Sequence, residues 1–212
     1  MSSTPYLRSL VITTPKDRKN SLRKELAKLP AWVETDILSF ATPCVSYRGD
    51  TDSSACAQEN LFLNHQKCAA RLLSEDCNFG LILESDVVFN QRKVVAWLQQ
   101  AVMWARHNQK QFDMLFIGCY PKKILKNDIR NTKFVTACQA SHAHAVIYSE
   151  QFCRTLVEMK YPGGHFDVYL RSKGTVRQYM MRTNIALQND LKHRMESRYG
   201  YLQTKWRSYL SL

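Results

Sequence analysis

The sequence predicts an α/β sandwich: a mostly parallel central sheet, becoming mixed towards its end, with helices on both faces. Three observations lead there. The apolar runs Leu7 to Thr13, Phe79 to Leu83 and Phe112 to Gly118 are too short for helices and read as buried strands. The segments between them place apolar residues at helical spacing, and strands alternating with helices select parallel crossovers. After residue 130, two strand-like runs follow one another closely, which is how a sheet acquires an antiparallel member.

The elements follow in order. Leu7 to Thr13 is β-branched, carries Arg8 inside it, and ends in Thr13-Thr14-Pro15. Leu22, Leu26 and Leu29 mark a basic helix that Pro30 stops, and Asp36 to Phe40 reads as a short strand. Cys44 to Ser54 is polar, with Gly49 among aspartate, serine and threonine turn formers, and reads as a loop. Ala55 to Leu73 predicts a helix with Leu61, His65, Cys68 and Leu72 on one stripe. Asn90 is placed to cap a third helix whose apolar face is Val94, Leu98, Ala101 and Ala105. Lys133 to Cys138 and Ala143 to Tyr148 predict two strands joined at Ser141-His142. Ser149 caps a helix that turns Phe152, Leu156 and Met159 inward. Gly163-Gly164 opens a turn into a short helix carrying His165 to Leu170, and Val176 to Met181 is strand-like again.

A chain of 212 residues fits one domain and can bury a core without staples. Hydrophobic residues at 45% exclude a disordered chain, and no apolar run reaches the ~20 residues needed to span a bilayer. The first fourteen residues lack a basic leader and a small-residue cleavage site, so no signal peptide is expected. Seven cysteines, odd in number and without a Cys-x-x-Cys pair, point to free thiols in a reducing, cytoplasmic compartment. The net charge is +12 but uneven: Asp50 to Asn90 is acidic, and Arg171 to Arg207 is strongly basic. That asymmetry suits a polyanionic partner met by a protein that keeps carboxylates for another task.

The most informative segment is Leu81-Ile82-Leu83-Glu84-Ser85-Asp86. A buried strand ends in two carboxylates two residues apart, which extended backbone would project to one side. Open α/β sheets bind ligands at the carboxyl ends of their strands, and two carboxylates there call for a cation. Mg²⁺ or Mn²⁺ shared with a diphosphate meets that need; the alternative is a solvated loop that caps the next helix. Thr13, Thr14 and Arg18, at the end of the first strand, suit a nucleotide's base and phosphates, or else belong to a basic surface helix. Asp167, after Gly163-Gly164, suits a catalytic base or a helix N-cap. Gln188, Asn189, Asp190 and His193 form a late polar cluster in which His193 is either a third metal ligand or a surface residue. His65 reads as a hydrogen-bonded core histidine, and His142 with His144 as strand residues sharing a face.

Taken together, Val11-Ile12-Thr13-Thr14 with the Arg-bearing helix after it, Asn64-His65, and Leu81 to Val87 resemble the GT-A glycosyltransferases, nearest to glycosyltransferase family twenty-five, the lipopolysaccharide-type and procollagen sugar transferases. Phe112 to Gly118, Ala143 to Ser149, Gly163 to Asp167 and Gln188 extend the resemblance in the family's order. It departs at Ser85, where the family shows Glu-Asp-Asp, and at Asn60-Leu61, where the family shows Gly-Cys. The resemblance implies a GT-A fold and a nucleotide-sugar donor, most simply a UDP-sugar. It also implies Mn²⁺ or Mg²⁺ and transfer of a hexosyl or deoxyhexosyl group to a glycan or glycoprotein hydroxyl. On it, Asp86 is the metal-binding last acid, and Glu84 touches ribose or metal-bound water. Ser85 and Gln188 belong to the donor site, Asp167 faces the acceptor, and His193 is the late histidine ligand.

The expected organisation is a catalytic domain over residues 1–190 and a basic tail over 191–212. The rival is a single-stranded nucleic-acid-binding module without catalysis, built on the tail's Tyr199, Tyr201, Trp206 and Tyr209 among its basic residues. It leaves the acidic middle unexplained, and no nucleic-acid-binding motif of defined spacing supports it.

Overall fold

A computed structural model describes residues 6–13, 19–39, 53–90 and 92–188. The chain alternates as expected: β1 (Leu7–Thr13), α1 (Lys19–Leu26), β2 (Val33–Ser39), α2 (Ser53–Ser74), β3 (Phe79–Glu84), β4 (Val87–Phe89) and α3 (Val94–His107). Then follow β5 (Met114–Leu125), β6 (Val135–Ser149), α4 (Glu150–Glu158), α5 (Phe166–Lys173), β7 (Gln178–Met181) and β8 (Ala186–Gln188). Among the described residues, one sheet runs β2-β1-β3-β6-β5-β7, and β4 with β8 forms a separate pair. β1 is parallel to β2 and β3, β5 is parallel to β7, and β6 opposes β3, β5 and β7. The sheet is therefore mixed, with one antiparallel strand inside an otherwise parallel set.

The handedness of the crossovers decides the layers. From β1 the chain steps outward to β2, and from β2 it crosses back over β1 to β3, so right-handed connections put α1 and α2 on opposite faces. Two apolar clusters record the result. Leu22 and the inner face of α3 (Val94, Leu98, Ala101, Val102, Ala105) pack with Leu7, Val11, Leu81, Leu83 and Ile147. Phe62, Cys68 and Leu72 of α2 pack with Phe152, Leu156, Phe166 and Leu170 against Leu10, Ile12, Ile82 and Tyr148. Alternating strand residues thus feed both layers, as period-two geometry requires. Ser149 caps α4 by accepting a hydrogen bond from Phe152 N at 3.2 Å. No helix among the described residues is long and apolar enough to cross a membrane.

Several local expectations are corrected. The two strands expected around Ser141-His142 are one fifteen-residue strand, β6. Its ladder with β5 carries three register shifts, and Gln178 Oε1 accepts from Ala140 N at 2.9 Å, so polar residues ride on a continuous strand. Ser53 and Ser54, read as loop, open α2; residues 44–52 lie outside the described residues. Lys93, not Asn90, occupies the N-cap of α3, which has no side-chain cap; Asn90 offers its carbonyl to Lys93 N and Val94 N, both at 3.0 Å.

Arg8 is the departure that apolar patterning could not anticipate. It is buried on β1 at the amino end of the parallel strands and donates to Glu75, beyond α2, and to Asp36 on β2. Arg71 adds a further ion pair to Glu75 at 2.5 Å. One guanidinium thus ties two strands to the end of a helix, and it holds the Glu75 carboxyl below its usual range.

Candidate functional site

The chemistry concentrates where β3 runs out of apolar residues. Phe79 to Leu83 are buried on both faces, and Glu84, the last strand residue, is half-buried. Ile12 on β1 is in register with Glu84, so Thr13 stands at the same edge. The chain leaves β1 towards β2 and leaves β3 in the opposite direction, which makes this edge a topological switch point, the crevice where open α/β sheets bind ligands. The Thr13 hydroxyl donates to Leu38 O of β2 at 3.2 Å, which fixes its rotamer at that edge.

The backbone does not stay extended through the acidic tripeptide: Ser85 and Asp86 form a turn into β4. The i, i+2 spacing therefore does not place these two carboxylates on one side of a strand. Glu84 ends the strand, Asp86 sits in the turn after it, and both are half-buried. The turn is held on two sides. β8 pairs with β4 antiparallel, Val87 opposite Gln188, which brings the Gln188 backbone beside the residue after Asp86. On the other side, Glu25 of α1 accepts from Phe89 N at 2.7 Å, and Lys28 donates to Phe89 O at 3.3 Å.

β8 is in turn wired to β5. Ile185 N donates to Ile117 O at 3.0 Å, and the Asn184 amide bonds Cys119 N and Cys119 O at 3.4 and 3.1 Å, standing in for a strand neighbour. Gly118 makes this approach possible. A Cβ there would lie 2.1 Å from Ala186 O and 2.8 Å from His144 Nε2. An isolated glycine within a buried strand is the sequence signal that could have announced such a contact.

The acceptor-side candidate reaches the same edge from the other layer. α4 starts beside the amino end of β3, since Phe79 pairs with Ser149, so it runs towards the carboxyl end of the parallel strands. There the chain reverses through Gly163 and Gly164, whose φ values of 73° and 77° favour glycine. α5 then descends with Asp167 in its first turn. His165 is the N-cap residue, so the N-cap reading of Asp167 does not hold. Gln58 near the start of α2 meets His165 at 3.1 Å, and Phe166 packs on His65 with ring centroids 4.8 Å apart.

His65 is the core histidine expected, and it has two polar neighbours. Nδ1 lies 3.0 Å from the Tyr148 hydroxyl, and Nε2 lies 3.5 Å from Glu84 Oε1. Burial above all pushes the Tyr148 phenol up, with Glu84 and Asp167 among the negative groups near it. Both carboxylates therefore act on the same buried hydroxyl. His144 is buried with Nε2 3.4 Å from Ala186 O.

Glu84, Ser85, Asp86, Thr13, the Gln188 backbone and Asp167 thus gather at one end of the sheet. Thr14, Arg18, Asn189, Asp190 and His193 lie outside the described residues. Among the described residues no group of three or more His, Cys, Asp or Glu side chains could hold a metal ion. Mg²⁺-like ions at phosphate sites take one or two carboxylates, with phosphate oxygens and water completing the shell. A carboxylate ending β3 and another in the turn after it, the first faced by a buried imidazole nitrogen that makes no hydrogen bond to any described residue, are a donor set of that kind. A groove of about 400 Å³ lies elsewhere, lined by Met103, Trp104, Ile129, Arg130 and Phe134 among others, with no carboxylate in its wall.

No protein-family profile and no curated protein matches the chain. Among solved structures it is similar to A197 from STIV, with a TM-score of 0.48 and 17% identity over 87% of this chain and 82% of that one. It is also similar to HddC from Yersinia pseudotuberculosis, with a TM-score of 0.41 and 10% identity over 82% of this chain and 68% of that one.

Proposed function

We propose that this chain is a metal-dependent glycosyltransferase of GT-A type that moves a hexosyl or deoxyhexosyl group from a nucleotide-sugar donor, a UDP-sugar, to a glycan hydroxyl. The observation that carries the reading is the acidic turn Glu84-Ser85-Asp86 at the switch-point edge, clamped between β8 and α1, with Asp167 delivered to the same edge. Its order along the chain is also that of the glycosyltransferase motifs the sequence resembles.

Glu84 and Asp86 would hold Mn²⁺ or Mg²⁺ together with diphosphate oxygens, and His193 lies five residues beyond Gln188, within ~18 Å of extended chain. When bound, such an ion supplies Lewis-acid stabilisation of charge on the departing diphosphate. The protein's own part is binding, orientation and proton handling. Thr13 borders the nucleotide, Asp86 and Glu84 fix the diphosphate end, and the Gln188 segment lies beside them. Asp167 accepts the proton from the attacking acceptor hydroxyl, a base placed by the first turn of α5. Attack by that hydroxyl on the anomeric carbon forms the new glycosidic bond and releases the nucleoside diphosphate. A base on the acceptor side gives inversion; a product with retained configuration would assign Asp167 another role.

The test is a melting-temperature screen of nucleotide sugars with and without Mn²⁺. A donor at a hundredfold its Kd stabilises by ~2.7 kcal/mol. In a chain of this size that is a rise of roughly 5–10 °C, and it should require the metal. Asp86→Ala should remove the metal-linked rise while leaving the unliganded melting temperature nearly unchanged. Undiminished coupling in that variant removes the site assignment. Polynucleotide binding with a steep salt dependence and no response to Mn²⁺ would instead favour the nucleic-acid module that the +12 charge also suits.

A further inference from the structure

We infer that His65, held in one tautomer by Tyr148, is the positioning residue that aims the Glu84 carboxylate at the donor; this rests on the glycosyltransferase reading above. His65 sits midway along α2 and is wholly buried, as is Tyr148 on β6. Its ring is enclosed by apolar surface, with the Phe166 ring at 4.8 Å and the Tyr148 ring at 5.9 Å. A neutral imidazole has one N–H, and its two nitrogens here face different partners. The Tyr148 hydroxyl, 3.0 Å from Nδ1, can donate or accept, whereas the Glu84 carboxylate, 3.5 Å from Nε2, can only accept when ionised. Of the two neutral tautomers one suits both partners: Tyr148 O–H donates to Nδ1, and Nε2–H faces Glu84. The opposite tautomer would set the Nε2 lone pair against a carboxylate in a dry pocket.

At 3.5 Å the Nε2 to Glu84 contact is long, and Nε2 makes no hydrogen bond to any described residue. Functional hydrogen bonds are often loose before ligand binds and close in the complex. The chain Tyr148–His65–Glu84 therefore links the core of the α2 layer to the last residue of β3. Burial obliges Nε2–H to find an acceptor, and Glu84 is the carboxylate that stands beside it. Outer partners that orient ligating carboxylates are worth 10–100-fold in metal affinity when removed.

The experiment uses the full chain, with Mn²⁺ and UDP as probes and Mn²⁺ affinity read by electron paramagnetic resonance. Tyr148→Phe keeps the ring and removes the hydroxyl, and His65→Leu removes the donor. Both should weaken UDP-linked Mn²⁺ binding by tenfold or more, and His65→Gln, whose amide can donate, should restore part of the loss. Val102→Ala, a cavity on the opposite face of the sheet, should lower stability without changing Mn²⁺ affinity. Long-range proton–nitrogen spectra of the unliganded protein should show His65 protonated at Nε2, and Tyr148→Phe should weaken that preference. The inference is overturned if Nδ1 carries the proton, or if Tyr148→Phe and His65→Leu bind Mn²⁺ as tightly as the parent or lose no more than Val102→Ala. A parent chain that binds no Mn²⁺ with UDP overturns the glycosyltransferase reading as well, which separates the two failures.

Discussion

Replacing Gly118 by alanine loads a place where the chain entering β8 and β5 approach too closely for a side chain. An added Cβ would meet Ala186 O at 2.1 Å and Ala186 C at 2.8 Å, where ordinary contact begins near 3.4 Å. The obstacle is backbone, so β8 must withdraw by roughly 1 Å, or β5 must buckle. Overpacking of this kind costs about 1–3 kcal/mol. Withdrawal also stretches the Ile185–Ile117 bond and the Asn184 amide pair to Cys119, each worth about 1 kcal/mol. The expected total is about 3–5 kcal/mol, a drop of roughly 1–2 M in the urea midpoint at unchanged slope. Gly80→Ala is the matched comparison, because the atoms nearest its Cβ all belong to the Leu72 side chain, at 2.3, 2.6 and 3.0 Å. A leucine end can rotate away, so that variant should cost about 1 kcal/mol and keep its Mn²⁺-linked donor binding, whereas Gly118→Ala should lose most of it. Equal destabilisation by the two would refute the claim that a backbone clasp at Gly118 positions the acidic turn.

Two further predictions concern the rest of the fold. Arg8 holds the Glu75 carboxyl below its ordinary 4.5, so the stability this pair adds is complete above that value and is lost as pH falls through the lowered one. Arg8→Met should cost about 2 kcal/mol at neutral pH and flatten the acid limb of a stability–pH curve below about 4.5; an unchanged limb would mean that Glu75 is held by Arg71 instead. Burial pushes the Cys68 and Cys153 thiols up to about 12, and the Cys119 and Cys138 thiols also upward. These four should react with a thiol reagent only on unfolding, and rapid native labelling of any of them would contradict the packing described.

The sequence by itself determined the alternation of strands and helices, because apolar period and turn residues act over a few positions. Leu7–Thr13, Phe79–Glu84 and the helix after Ser149 carry their own signals, and so does the abrupt end of β3 in Glu84-Ser85-Asp86. What it could not determine was pairing between distant segments, since no local propensity encodes which strand edge meets which. That β4 is closed by β8, that Gly118 gives Ala186 room, and that His65 stands between Tyr148 and Glu84 are contacts across 19 to 101 positions. Arg8 shows the same limit from the other side: a charge inside an apolar strand breaks the pattern until the fold brings Asp36 and Glu75 around it. The sequence predicts two strands joined at Ser141-His142, and the neighbouring strands, by supplying ladder partners, keep residues 135–149 a single strand.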